Sequence, residues 1–275
     1  MSHHQRLTVL DEMFLHLEGP DTHMHVGGVA IFEGPPPPYE EVLDMVRRRL
    51  HLVPRFRQKL TLVPFGLGRP LWTDDIHFNL EYHVRHTALP APGDKAQLNR
   101  LVARIMSQQL DRSKPLWEMW MAEGLGGGRF ALISKTHHCL VDGISGADIM
   151  SVMMDLEPEP EEVEPAAWRP RPEPTQEELF VGALRERLTS PAEAIRSAQS
   201  VAMDPRSFPG AIAGSLKAVG AFVGSSFSAP PSSLNVPIGP HRRLETVLAD
   251  LDELKAVKNA HGGTVNDVVL AVVSG

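Results

Sequence analysis

An α/β fold in two layers is what the sequence predicts, and three observations carry that prediction. Strand-like apolar runs alternate along the chain with segments whose apolar residues recur at helical spacing. A length of 275 residues, 42% of them hydrophobic and 22% charged, provides material for a large core. The third observation is local. Residues 130–136 read as a buried strand, His137-His138-Cys139-Leu140-Val141-Asp142-Gly143 follow directly, and Ile149, Val152, Met153 and Leu156 then recur at helical spacing.

Taken in order, residues 26–32 are an apolar strand candidate stopped by Gly34 and the proline run 35–38. Residues 39–50 place Val42, Val46 and Leu50 on one helical face. Glu40, Glu41 and Asp44 stand early and Arg47, Arg48 and Arg49 late, as the helix dipole prefers, so the arginines read as a solvated helix end. Leu98, Leu101, Val102 and Ile105 mark a second amphipathic helix, and Pro115-Leu116-Trp117 reads as a turn into a core strand. From Glu157 the chain becomes rich in Pro and Glu, the composition of an exposed connector. Leu179, Phe180, Ala183, Leu184 and Leu188 then indicate a helix, and the small-residue apolar stretch 211–223 is too short to span a bilayer. A proline-rich connector over 229–240 precedes a predicted strand at 244–249. Asp250 with Glu253, and Thr264 with Asp267, have the spacing of capping boxes that open two helices. The last helix is apolar and halts at Gly275, which suggests a truncated chain.

The paired histidines carry the chemical signal. An imidazole with an ordinary pKa of about 6.5 accepts a proton near neutrality and returns it later, which suits a general base acting on a hydroxyl or thiol. The competing reading is a hydrogen-bonded core histidine. Side chains of adjacent residues diverge on an extended segment, so one of His137 and His138 faces a pocket while the other packs or orients the loop. The same divergence argues against a two-histidine metal site and against a Cys-His nucleophile at Cys139. Asp142 before Gly143 reads as a turn residue, and Asp267 as a cap with Asn266 beside it in the first helical turn.

The HHCLVDG segment resembles the HHxxxDG motif of the coenzyme-A-dependent acyltransferase superfamily, shared with chloramphenicol acetyltransferase and condensation domains. The opening residues 7–14 with Met24-His25-Val26-Gly27, then Pro115-Leu116-Trp117-Glu118, residues 235–240 and Asn266-Asp267, are together similar to the bacterial wax ester synthase/diacylglycerol acyltransferase family. The resemblance implies a chloramphenicol-acetyltransferase-like sandwich. Residues 1–156 would be the domain carrying the motif, 157–240 a linker and helical crossover, and 241–275 the start of a second similar domain. It implies that His138 takes the proton of an acceptor hydroxyl, whose oxygen attacks a long-chain acyl-coenzyme A to make triacylglycerol or wax ester. His137, Asp142 and Gly143 would support the loop, Asp142 through an ion pair with an arginine.

No permanently bound cofactor or metal is expected, with acyl-coenzyme A as co-substrate and diacylglycerol or a fatty alcohol as acceptor. The rest of the two-domain protein is expected as a partner. A formal charge of −7 disfavours a general nucleic-acid role, and a single cysteine fits a reducing compartment. No secretory leader pattern and no stretch of about 20 apolar residues is present, so a cytoplasmic protein with at most peripheral contact to the inner membrane or lipid droplets is expected. Two other readings stay open: a condensation-type or polyketide-associated acyltransferase fed by a carrier-protein thioester, and a non-catalytic lipid-surface protein.

Overall fold

The computed structural model describes residues 5–141, 167–189 and 236–275. They fall into two compact units, Met1–Arg242 and Arg243–Gly275. The first unit begins with β1 (Gln5–Arg6), α1 (Val9–Leu17), β2 (His25–Phe32), α2 (Tyr39–Arg49), β3 (Gln58–Thr61) and β4 (Leu71–Asp74). There follow α3 (Leu80–His83), β5 (Val84–Ala88), α4 (Lys95–Met106), β6 (Trp117–Leu125), β7 (Arg129–His137), α5 (His138–Val141) and the helix Gln176–Thr189.

The larger sheet has the strand order β2-β7-β6-β5. β2 and β6 flank β7 antiparallel, while β5 runs parallel to β6, so the sheet is mixed. A parallel pair needs a crossover rather than a tight turn, and α4 supplies it between β5 and β6. β6 and β7 are joined by Gly126-Gly127-Gly128, where Gly127 and Gly128 take φ of 80° and 71°, a region open to glycine without steric cost. β2 pairs with β7 along its whole length, from Phe32 opposite Phe130 to His25 opposite His137. That register brings the N-terminal strand to the histidine end of β7. A smaller antiparallel sheet has the order β1-β4-β3.

The core lies between the helices and the large sheet and includes Leu7, Leu43, Val46, Phe56, Leu116, Trp117, Met119, Met121 and Leu140. Its centre is Trp117, whose ring stacks between Phe56 at 4.5 Å and His83 at 4.7 Å and whose Nε1 donates to the Phe56 carbonyl at 2.8 Å. Three aromatic rings held face to face and one satisfied indole N–H make this a fixed point of the fold. The predicted helix at 39–50 is α2, with Val42, Val46 and Leu50 buried. Arg49, expected to be solvated, is buried instead, because the turn that ends α2 is packed into the core with Leu50. In the helix Gln176–Thr189, Leu179 and Ala183 pack against Val63 and Leu71.

The second unit holds the helices Leu251–His261 and Val265–Ser274. The strand predicted at 244–249 is not formed. No ladder among the described residues includes these positions, and Val247 and Leu248 are 78% and 99% exposed. Alternation of apolar and polar residues cannot by itself satisfy backbone N–H and C=O groups. Both predicted helix starts are present: Asp250 accepts from the amides of Asp252 and Glu253, and Thr264 with Asp267 forms a reciprocal capping box. The predicted helix with Ile149 and Leu156, and the stretch 211–223, lie outside the described residues.

Candidate active site

The two histidines sit on different elements. His137 is the last residue of β7 and His138 the first of α5, so the chain turns between them and their side chains diverge. Two backbone hydrogen bonds fix the turn. The His137 amide donates to the Leu116 carbonyl at 2.9 Å, and the His138 amide to the Met24 carbonyl at 2.8 Å. Met24 has φ of 47°, an uncommon conformation for a side-chain-bearing residue that costs on the order of 1–3 kcal/mol, and it carries the carbonyl that receives His138.

His137 is completely buried. Its Nδ1 accepts from the Cys139 amide at 3.2 Å and lies 2.9 Å from the Cys139 Sγ, which assigns the ring proton to Nε2. Nε2 faces the Glu18 Oε2 at 3.6 Å, just outside hydrogen-bond length. Glu18 follows α1, its side chain only 4% exposed, and receives Arg112 through Nε at 2.7 Å and through Nη2. Burial alone would raise the Glu18 pKa, but His137 and Arg112 together hold it below the ordinary carboxylate value. His25 Nε2 lies 3.8 Å from the other carboxylate oxygen. Burial, helped by the charge of Lys135, pushes the His25 pKa down to about 3, so His25 is neutral. Lys135 is buried beside this cluster and donates through Nζ to the carbonyls of Ile105, at 3.0 Å, and of Gln108 near the end of α4. Burial raises the Cys139 thiol pKa, and a protonated thiol bonded to His137 is no nucleophile.

His138 is half-buried, its ring stacked on Phe14 of α1 with centroids 3.9 Å apart. Its Nδ1 is buried, and among the described residues neither ring nitrogen has a hydrogen-bond partner. Of the pair, His138 is therefore the one whose imidazole is not already committed among the described residues. Pro115, Leu116 and Trp117 lie in the core at the start of β6, and the Leu116 carbonyl receives the His137 amide. Asp142 and Gly143 lie outside the described residues. Asn266 and Asp267 are exposed in the second unit, where Asp267 accepts from the Thr264 amide at 2.7 Å. Among the described residues no cluster of three His, Cys, Asp or Glu side chains could hold a metal. Sequence reasoning missed Phe14, Glu18, Met24 and Arg112 as partners of the histidines. Only Phe14 and Met24 lay in segments already singled out, and no local spacing marks Glu18 or Arg112.

A mixed α/β sheet whose central strand ends in the HHxxxDG segment defines the class of the acyltransferases. Within it, the chain belongs to the wax ester synthase/diacylglycerol acyltransferase family, whose catalytic-domain model matches residues 7–269. A Mycobacterium tuberculosis protein named as a probable diacylglycerol O-acyltransferase, tgs3, is 35% identical over 267 residues, covering 92% of this chain and 95% of that protein. Another from the same species, tgs1, is 34% identical over 98% of this chain and 56% of its own length. The solved structure of the wax ester synthase/diacylglycerol acyltransferase from Marinobacter aquaeolei VT8 matches with a TM-score of 0.63 and 30% identity, over 96% of this chain and 58% of that one. The chain thus spans little more than half the length of tgs1 and of the Marinobacter protein.

Proposed function

We propose that this chain transfers a long-chain fatty acyl group from acyl-coenzyme A to the hydroxyl of diacylglycerol or a fatty alcohol, with His138 as the general base. The single observation that carries the reading is the division of labour between the histidines. His137 is sealed and bonded, whereas His138 is half-exposed, held by Phe14, and has no partner on either nitrogen among the described residues. In the proposed step His138 takes the acceptor's hydroxyl proton as the oxygen bonds to the thioester carbonyl carbon. Collapse of the tetrahedral intermediate breaks the C–S bond, and the proton passes from His138 to the departing thiolate, leaving ester and free coenzyme A. Asp142 and Gly143 are assigned to holding the loop, and Asn266 and Asp267 to the first turn of their helix. In this reading residues 1–156 form the motif-bearing domain, 157–240 a crossover, and 241–275 the opening of a second domain.

The acceptors are insoluble in water, so the enzyme must meet them at a lipid surface. Leu62 and Phe65, 70% and 88% exposed around the β3–β4 connection, support peripheral contact there, and no helix among the described residues is long and apolar enough to cross a membrane. A net charge of −7 favours an uncharged lipid surface over an anionic one. The test is turnover with labelled acyl-coenzyme A and mixed acceptors. Ester formation that disappears in His138→Ala supports the reading. Turnover only with an acyl-carrier thioester would select the condensation-type alternative, and lipid binding without turnover the non-catalytic one.

A further inference from the structure

Helix α1 touches both histidines. Phe14 stacks on His138, and Glu18, one helical turn later, faces His137. The Glu18 amide donates to the Phe14 carbonyl at 3.1 Å, so the two contacts share one rigid turn. We propose that Glu18, neutralised by Arg112, is a positioning residue that fixes the tautomer and plane of His137 and thereby aims His138, an inference that rests on His138 being the base.

The burial of the carboxylate carries the argument. A carboxylate whose side chain is only 4% exposed is tolerated as a charge only when it is paired, and Arg112, itself half exposed, supplies the pairing. Arg112 contacts the Glu18 Oε2 through both Nε and Nη2 and uses Nη2 again on the Leu15 carbonyl at 2.8 Å, tying the carboxylate to α1. On the other side, the carboxylate lies 3.6 Å from the one nitrogen of His137 that carries the proton, since Nδ1 already accepts from Cys139; the contact is electrostatic rather than a formed hydrogen bond. A carboxylate at the N–H of an imidazole sets which nitrogen is protonated and how the ring lies. His137 cannot rotate without losing Glu18 on one side and Cys139 on the other. Its neighbour His138 is joined to the same turn. Lys135 and His25 also face the cluster, yet Lys135 is engaged with carbonyls near the α4 terminus and His25 is neutral, which leaves Arg112 as the cation bonded to the carboxylate.

The test is a double-mutant cycle on the full chain with acyl-coenzyme A and diacylglycerol. Glu18→Gln is expected to lower kcat by about 10²-fold, the cost of misplacing a reacting group by about an ångström, with KM for acyl-coenzyme A unchanged. In a His137→Gln background the same change is expected to cost nothing further, because its effect passes through His137. Additive losses, or full kcat in Glu18→Gln, would overturn the proposal. A second readout needs neither turnover nor a folded variant. Nitrogen NMR of the parent is expected to show His137 protonated at Nε2 and bare at Nδ1, and the opposite tautomer would overturn the positioning role. A parent chain with the expected tautomer and no turnover would refute the acyl-transfer reading, and the positioning role with it, while a parent that turns over with the opposite tautomer would refute the positioning role alone.

Discussion

Phe14 lies against His138 with ring centroids 3.9 Å apart and ring planes inclined by 30°, so a side chain near the N-terminus sets the plane of the imidazole that heads α5. A stack of this kind contributes about 0.5–1.5 kcal/mol beyond area burial. If that orientation is used in the transition state, Phe14→Leu, which keeps apolar volume and removes the ring, should lower kcat by up to about tenfold. The midpoint of urea unfolding should shift little in comparison. Steady-state kinetics beside a denaturation curve decides: a stability loss with unchanged kcat would make Phe14 an ordinary core residue.

His138→Ala should reduce transfer by about 10²–10⁴-fold while the circular dichroism spectrum stays that of the parent, since the side chain is half-buried and makes no hydrogen bond among the described residues. His137→Ala should instead lower the melting temperature. It removes a fully buried ring and strips the Glu18 carboxylate and the Cys139 amide of their contacts. Equal, fold-preserving losses at both positions would contradict the separate roles the geometry gives them.

Acid should destabilise the fold before it reaches the carboxylates. The His25 pKa is depressed to about 3 by burial, so between about pH 6.5 and 3 the unfolded chain binds a proton that the folded chain refuses. Stability therefore falls as pH drops through that window. His83, depressed to about 4 by burial, acts in the same direction, as does the lowered Glu18 at the acid end. Urea midpoints measured from pH 7 to 4 should decline, and His25→Gln should flatten part of that slope. A parent whose midpoint does not move over this range would contradict the buried, neutral state of His25.

What was legible in the sequence was what is local. The 39–50 periodicity, the apolar run after residue 129 and the capping spacing at Thr264 and Asp267 each depend on neighbours a few positions away, and each formed. The identity of the histidine segment was legible for the same reason. Glu18 and Arg112 were not, because their meaning comes from β2 pairing with β7 and folding the N-terminal segment onto the histidine end, a relation between distant parts of the chain. The residues 244–249 show the converse error. Their alternation resembles a strand, but a strand needs a partner, and period carries no information about one.

Phe65 offers a prediction in which stability and function move in opposite directions. It has φ of 57° and ψ of 16°, a left-handed conformation that disfavours any residue with a Cβ, and yet its ring is 88% exposed. Its ring makes a distant edge-to-face approach to Phe180 at 6.3 Å. Phe65→Gly should relieve the strain, so the melting temperature should hold or rise by the equivalent of about 1 kcal/mol. Removing the ring should also forfeit the ~1.5–3 kcal/mol that burying a Phe side chain in lipid would contribute, which corresponds to roughly tenfold to 10²-fold weaker partition. Flotation with triacylglycerol emulsions coated in zwitterionic phospholipid reads the second effect and thermal melting the first. Undiminished flotation of a well-folded Phe65→Gly chain would overturn the proposal that the β3–β4 connection contacts lipid.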